Sequence, residues 1–159
     1  MIGLFITTAA IIIVTNVWTA VLQIDGSSMN PLLQADEIVL VVRTDNPARN
    51  DIIAFYHNNK LHIKRVIALA GDLVDIDENG VVSINGETLE EPYVSELSRG
   101  NCDIEVPFMV PSGEVFVLGD NRPSSLDSRY SQFGTVNRDQ IIGKVKLSLW
   151  PLSKMGSVK

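Results

Sequence analysis

Leu61-His62-Ile63-Lys64-Arg65-Val66-Ile67-Ala68-Leu69 reads as one strand, closed by the turn Ala70-Gly71-Asp72. It is apolar and β-branched, and it is bounded by polar punctuation. Alternate residues share a face, so His62, Lys64 and Val66 look one way and Ile63 and Arg65 the other. The same pattern recurs on both sides of it. Glu37 to Arg43 is a β-branched run, and Asp51 to His57 is another, ended by Asn58-Asn59. Leu73 to Ile76, Val81 to Ile84, Val115 to Leu118 and Ile141 to Leu147 add further strands. Asn79-Gly80 and Asn85-Gly86 are hairpin signals. Pro92 to Pro111 has weak periodicity and is expected to cross the surface as a long loop. Short strands with Gly and Asn turns at near-regular spacing predict an all-β, antiparallel, partly barrel-like fold.

The amino-terminal part breaks this pattern. From Met1 to Ile24 there is no Asp, Glu, Lys or Arg. As a helix those 24 residues reach roughly 36 Å, against a hydrocarbon core of about 30 Å. A cleavable leader fits poorly, because there is no basic start and no clear small-x-small cleavage site. A buried soluble helix is seldom apolar on every face for this length. The expected organisation is therefore one N-terminal transmembrane helix over residues 1–23, a β-rich catalytic domain over 24–150 and a tail over 151–159. The 159 residues carry a net charge of −6 with scattered basic residues, which argues against nucleic acid as a partner. The single cysteine, Cys102, excludes an internal disulfide. Two His and one Cys without close ligand spacing make a poor metal site, and no cofactor is expected.

Chemistry enters with Asp25-Gly26-Ser27-Ser28-Met29-Asn30-Pro31. Small residues such as Gly26 and Ser27 let the backbone bend sharply and let a substrate carbonyl approach. Ser28 needs a base to act as a nucleophile at neutral pH, and a desolvated lysine can serve. Lys64 has apolar flanks. Holding it neutral at pH 8 costs roughly 3 kcal/mol if it is solvated, a shift that burial can supply. The segment Gly119-Asp120-Asn121-Arg122-Pro123-Ser124-Ser125-Leu126-Asp127-Ser128-Arg129 is dense in hydrogen-bonding groups. Ser125 could orient the Lys64 amine. Asp120, Arg122, Asp127 and Arg129 could form a buried ion-pair scaffold beneath the site.

These segments together resemble the bacterial type I signal peptidases, the membrane-bound Ser–Lys peptidases. The family's nucleophile box, Ser-Met-x-Pro, is matched by Ser28-Met29-Asn30-Pro31. Its lysine box, Lys-Arg-Val-Ile-Gly-x-x-Gly-Asp, is matched from Lys64 to Asp72 with Ala68 in place of Gly. Its last box, Gly-Asp-Asn-Arg-x-x-Ser-x-Asp-Ser-Arg, is matched fully from Gly119 to Arg129. The run from Asn85 to Tyr93 is also similar, and the resemblance covers roughly residues 1 to 150. Asn50-Asp51 stands where the family often has Gly-Asp. Gly26, two residues before the nucleophile, resembles the Gram-positive-type members, whose oxyanion hole would rest mainly on backbone N–H groups.

The resemblance implies a serine endopeptidase that removes signal peptides from exported preproteins after small-x-small sites, typically Ala-x-Ala. Ser28 would be the nucleophile and Lys64 the base, with Gly26, Ser27, Asp120, Asn121, Arg122, Ser125, Asp127 and Arg129 in support. Met29, Leu33 and Ile63, with Ile24 nearby, would form the shallow apolar substrate pocket. The protein would sit in the cell membrane by a single pass, with the catalytic domain on the extracytoplasmic face. A Ser–His enzyme using His62 is the nearest rival. Self-cleaving repressor proteases also use Ser–Lys but carry a DNA-binding domain. A catalytically silent relative acting in assembly, for example of pili, would lack Ser28 or Lys64, and both are present.

Overall fold

The computed structural model describes residues 18–158. Twelve strands and two short 3₁₀ turns make up its regular structure, so the all-β reading holds. The long sheet runs β1 (Thr19–Gln23), β2 (Ile38–Val42), β11 (Ile141–Trp150), β3 (Ile52–His57), β4 (Lys60–Leu69), β9 (Glu114–Leu118), β10 (Val136–Asn137). β12 (Gly156–Ser157) pairs with β11 on the side that β3 leaves. A smaller sheet has the order β7 (Glu87–Thr88), β6 (Val82–Ile84), β5 (Leu73–Ile76), β8 (Phe108–Met109). Every pairing in both sheets is antiparallel.

Among the described residues the long sheet ends at β1 and β10 and does not close into a barrel, which corrects that part of the expectation. Thr19–Gln23 pair with β2 as a strand, so the helix read over 1–23 cannot extend through them. An apolar run gives no clear period by which strand and helix can be told apart. The remainder of that expected span, residues 1–17, lies outside the described residues. Among the described residues no helix is long and apolar enough to cross a membrane. The expected tail is also part of the sheet: Ser157 pairs with Leu147, and Val158 packs on the core.

Local turn chemistry sets the registers. Asn58 and Asn59 both take positive φ, 49° and 59°, and join β3 to β4 with His57 opposite Lys60. That is the two-residue hairpin whose twist matches its strands. Asn85-Gly86 does the same between β6 and β7. Asn79-Gly80 instead sits in a longer loop, held by the Asp77 carboxylate, which accepts from the N–H groups of Asn79 and Val81. Gly80 has no room for a side chain, since a Cβ there would lie 2.4 Å from the Ser98 carbonyl carbon. The stretch from Pro92 to Pro111 is thus drawn against the body, and it contributes β8 to the small sheet.

Strand alternation splits the core. In β3, Ile52 and Ala54 join one apolar cluster with Val39, Val41 and Val145, while Ile53 and Phe55 join another with Val66 and Val117. In β9, Phe116 and Leu118 turn toward a third cluster that lies under the small sheet. β3, β4 and β9 are therefore covered on both faces, and a polar group placed on them is withdrawn from water.

Candidate active site

Lys64 occupies such a place. It lies opposite Ile53 across the β3–β4 ladder and is only 3% exposed. Its amine donates to Ser125 Oγ at 3.1 Å, and it makes no ion pair among the described residues. Burial lowers its pKa to about 8, against a partly offsetting attraction from Asp127. An amine held this way is neutral in a large fraction of molecules near pH 8, and its lone pair is then a base.

Ser28 stands on the loop between β1 and β2. The loop is closed at its neck, where Ile24 N–H donates to Glu37 and Asp36 N–H donates to Ile24. Met29 and Leu33, 2% and 1% exposed, plug its underside into the core. Each such side chain contributes roughly 2 kcal/mol by burial. Gly26 holds φ at 97°, a left-handed conformation that glycine adopts without strain. The Ser28 hydroxyl takes no partner among the described residues.

The 119–129 segment joins the two. Asn121 N–H donates to Ser28 O at 3.0 Å, and the Asn121 side-chain amide donates to Ser27 O at 3.1 Å. Gly119 is the contact point. A Cβ added there would lie 2.2 Å from Ser125 Oγ and 2.5 Å from Ser28 O. Only a residue without a side chain lets the Ser28 loop and Ser125 approach one another here.

Beneath them lie buried ion pairs, though not the set expected. Asp127 does pair with Arg129 at 2.8 Å, and it also accepts from Gly119 N–H. Arg129 in turn donates to the carbonyls of Ser98, Arg122 and Ser125. Asp120, however, takes a two-pronged bond from Arg65, at 2.9 and 2.7 Å. Arg122 pairs with Glu91 at 2.5 Å and donates to Gly119 O. The Arg65 guanidinium lies 3.8 Å from the centre of the Tyr93 ring. Glu91, Tyr93 and Arg65 were thus missing from the expected scaffold, although all three fall in the boxes quoted above. Asn50 takes φ 69°, so it adopts the left-handed conformation that glycine would favour at that position.

A small cavity of about 60 Å³ opens beside Ser28, lined by Ile24, Gly26, Met29, His62 and Ile63 among others. Of the expected pocket residues, Leu33 lies behind it in the same apolar cluster and does not line it. His62 reaches the cavity, but its ring packs among Phe55, His57 and Phe133.

Comparison with known proteins fits this arrangement. The family model described as "Signal peptidase, peptidase S26" matches residues 1–150. The chain belongs to the signal peptidase family. It is accordingly a serine peptidase, a hydrolase. Signal peptidase I of Bacillus caldolyticus is 36% identical over 147 residues, covering 82% of this chain and 79% of that protein. Signal peptidase IB of Staphylococcus aureus is 34% identical over 154 residues, covering 82% and 78%. The crystal structure of a signal peptidase I from Enterococcus faecalis is similar, with a TM-score of 0.52 and 35% identity over 62% of this chain and 96% of that one. For this signal peptidase, the nucleophile and base segments expected from sequence meet through Gly119 and Ser125.

Proposed function

We propose that this signal peptidase removes N-terminal signal peptides from exported preproteins by a Ser28–Lys64 dyad. The observation that carries the reading is a buried lysine that is hydrogen-bonded to Ser125 and makes no ion pair among the described residues. Lysines that serve only for solubility stay in water.

The steps follow from these groups. Neutral Lys64 takes the Ser28 proton as Oγ attacks the scissile carbonyl. With no side-chain donor at Gly26, the Ser28 N–H would be left to donate to the developing oxyanion. The Lys64 ammonium then protonates the leaving amine, which departs as the new amino terminus of the mature protein. A water gives its proton to Lys64 and attacks the acyl-enzyme; the ammonium returns that proton to Ser28 Oγ as the acyl bond breaks, and the signal peptide leaves as a carboxylic acid. The small cavity of Ile24, Met29 and Ile63 suits a methyl side chain, in keeping with cleavage after Ala-x-Ala. Residues 1–17 would supply the single membrane pass and hold the site at the extracytoplasmic surface.

The test uses the detergent-solubilised protein and a preprotein with an Ala-x-Ala site. Wild type should cut it once, after the second Ala, and Ser28→Ala and Lys64→Ala should not. Retained cleavage by Lys64→Ala in a folded protein would sink the dyad.

A further inference from the structure

A second cavity, of about 540 Å³, lies under the β3–β4 hairpin, and no step above uses it. His62 lines both it and the small cavity beside Ser28. Leu126, which follows Ser125 in the chain, forms another part of its wall. The two spaces are therefore neighbours, and a polypeptide held across Ser28 has side chains within reach of both.

Its lining is unusual for a structural void. His57 stacks on Phe133 with ring centres 4.5 Å apart, and His62 meets Phe133 edge-on at 5.4 Å. Both ring nitrogens of His57 are buried, and among the described residues neither has a hydrogen-bond partner, so the ring offers the cavity its stacked aromatic edge and no polar contact. Lys60 adds a positive charge and makes no ion pair among the described residues. Asp103 is the single carboxylate in the lining, and it is engaged by the N–H and hydroxyl of Ser131. Asn58, Asn101, Tyr130 and Gln132 add neutral polar groups and Phe133 and Leu126 an apolar wall, so among the described residues Lys60 carries the one uncompensated charge of the lining.

We infer that this cavity is a second substrate subsite that receives a glutamate side chain of the bound preprotein. Lys60 would meet the carboxylate, and Phe133, Leu126 and the His57 and His62 rings would cover its methylenes. The inference rests on the signal-peptide-processing reading above.

The test is a set of preprotein peptides with one Ala-x-Ala site, carrying Glu or its neutral isostere Gln in turn at each position within four residues of the scissile bond other than the two alanines. The readout is the ratio of kcat/KM for each Glu–Gln pair. Wild type should prefer Glu about fivefold at one position, the worth of one exposed charge pair. The ratio at that position should fall to about one in Lys60→Ala and return in Lys60→Arg, which restores the charge. Equal cleavage of Glu and Gln peptides everywhere would overturn the subsite. So would a Glu preference that survives Lys60→Ala. Failure of wild type to cut any peptide would instead overturn the processing reading, and the subsite with it.

Discussion

The amine of Lys64 lies 3.1 Å from Ser125 Oγ, while the buried carboxylates on either side, Asp120 and Asp127, are each taken by an arginine. This division decides the protonation of Lys64. A carboxylate bonded directly to it would hold the ammonium, and a hydroxyl does not. Burial dominates and sets its pKa at about 8.

Activity should therefore follow a single basic limb. The neutral amine is the working form, and its fraction grows tenfold per pH unit below the pKa. We predict that kcat/KM rises about tenfold from pH 6 to 7 and levels off above about 8. A profile flat from pH 6 to 9 would contradict the assignment of Lys64 as the base.

The same burial has a thermodynamic cost. The unfolded lysine keeps its proton to about 10.5, whereas the folded one releases it near 8. Between those values the unfolded state binds more protons, so the stability of the wild type rises with pH. Below pH 8 the penalty is complete, at about 3 kcal/mol. Lys64→Met, similar in length and uncharged, should raise Tm at pH 7, and the gain should fade as pH climbs from 8 toward 10.5. Thermal unfolding at several pH values would reveal it, and a destabilised Lys64→Met at pH 7 would refute it.

Gly119→Ala should damage catalysis more than folding. The added methyl would overlap Ser125 Oγ and Ser28 O, so one of these residues must move. Overpacking of this kind costs about 1–3 kcal/mol. A displacement of about 1 Å at the reacting groups costs about a hundredfold in rate. We expect a folded protein with kcat reduced about a hundredfold.

Glu91→Ala should be among the most destabilising single changes. It leaves Arg122, 1% exposed, as a buried charge without its partner. Breaking such a pair costs about 3–5 kcal/mol. Because Arg122 also donates to Gly119 O, activity should fall together with Tm. Arg122→Met combined with Glu91→Ala should recover part of the stability, which denaturant titration would measure.

Much of this molecule was legible in sequence wherever the cause was local. β-branched runs gave β2, β3, β4, β5, β6, β9 and most of β11; Asn58-Asn59 marked the end of β3, and of the two expected hairpin turns Asn85-Gly86 is one and Asn79-Gly80 is not. Lys64 announced itself by apolar neighbours. What stayed hidden depends on contacts between distant segments. Nothing local says that Asp120 prefers Arg65 to Arg122, or that Arg122 reaches back to Glu91. Gly119 reads as a turn residue, yet its bareness is required by Ser28 and Ser125. β1 was hidden for a different reason, since an uncharged run satisfies both a helix and a buried strand.

The pairing of β1 with β2 determines how the reaction centre is carried. Five residues of strand, at about 3.3 Å each, form a stiff stalk of roughly 16 Å that ends just short of the nucleophile loop. The part of the chain before residue 18 is thus joined to Ser28 by a spacer and not by a leash. With an anchor in residues 1–17, cleavage would take place at one fixed height above the membrane. Candidate sites would then be sorted by elevation before any side chain is read, and lengthening or shortening the stalk would change which bonds come within reach.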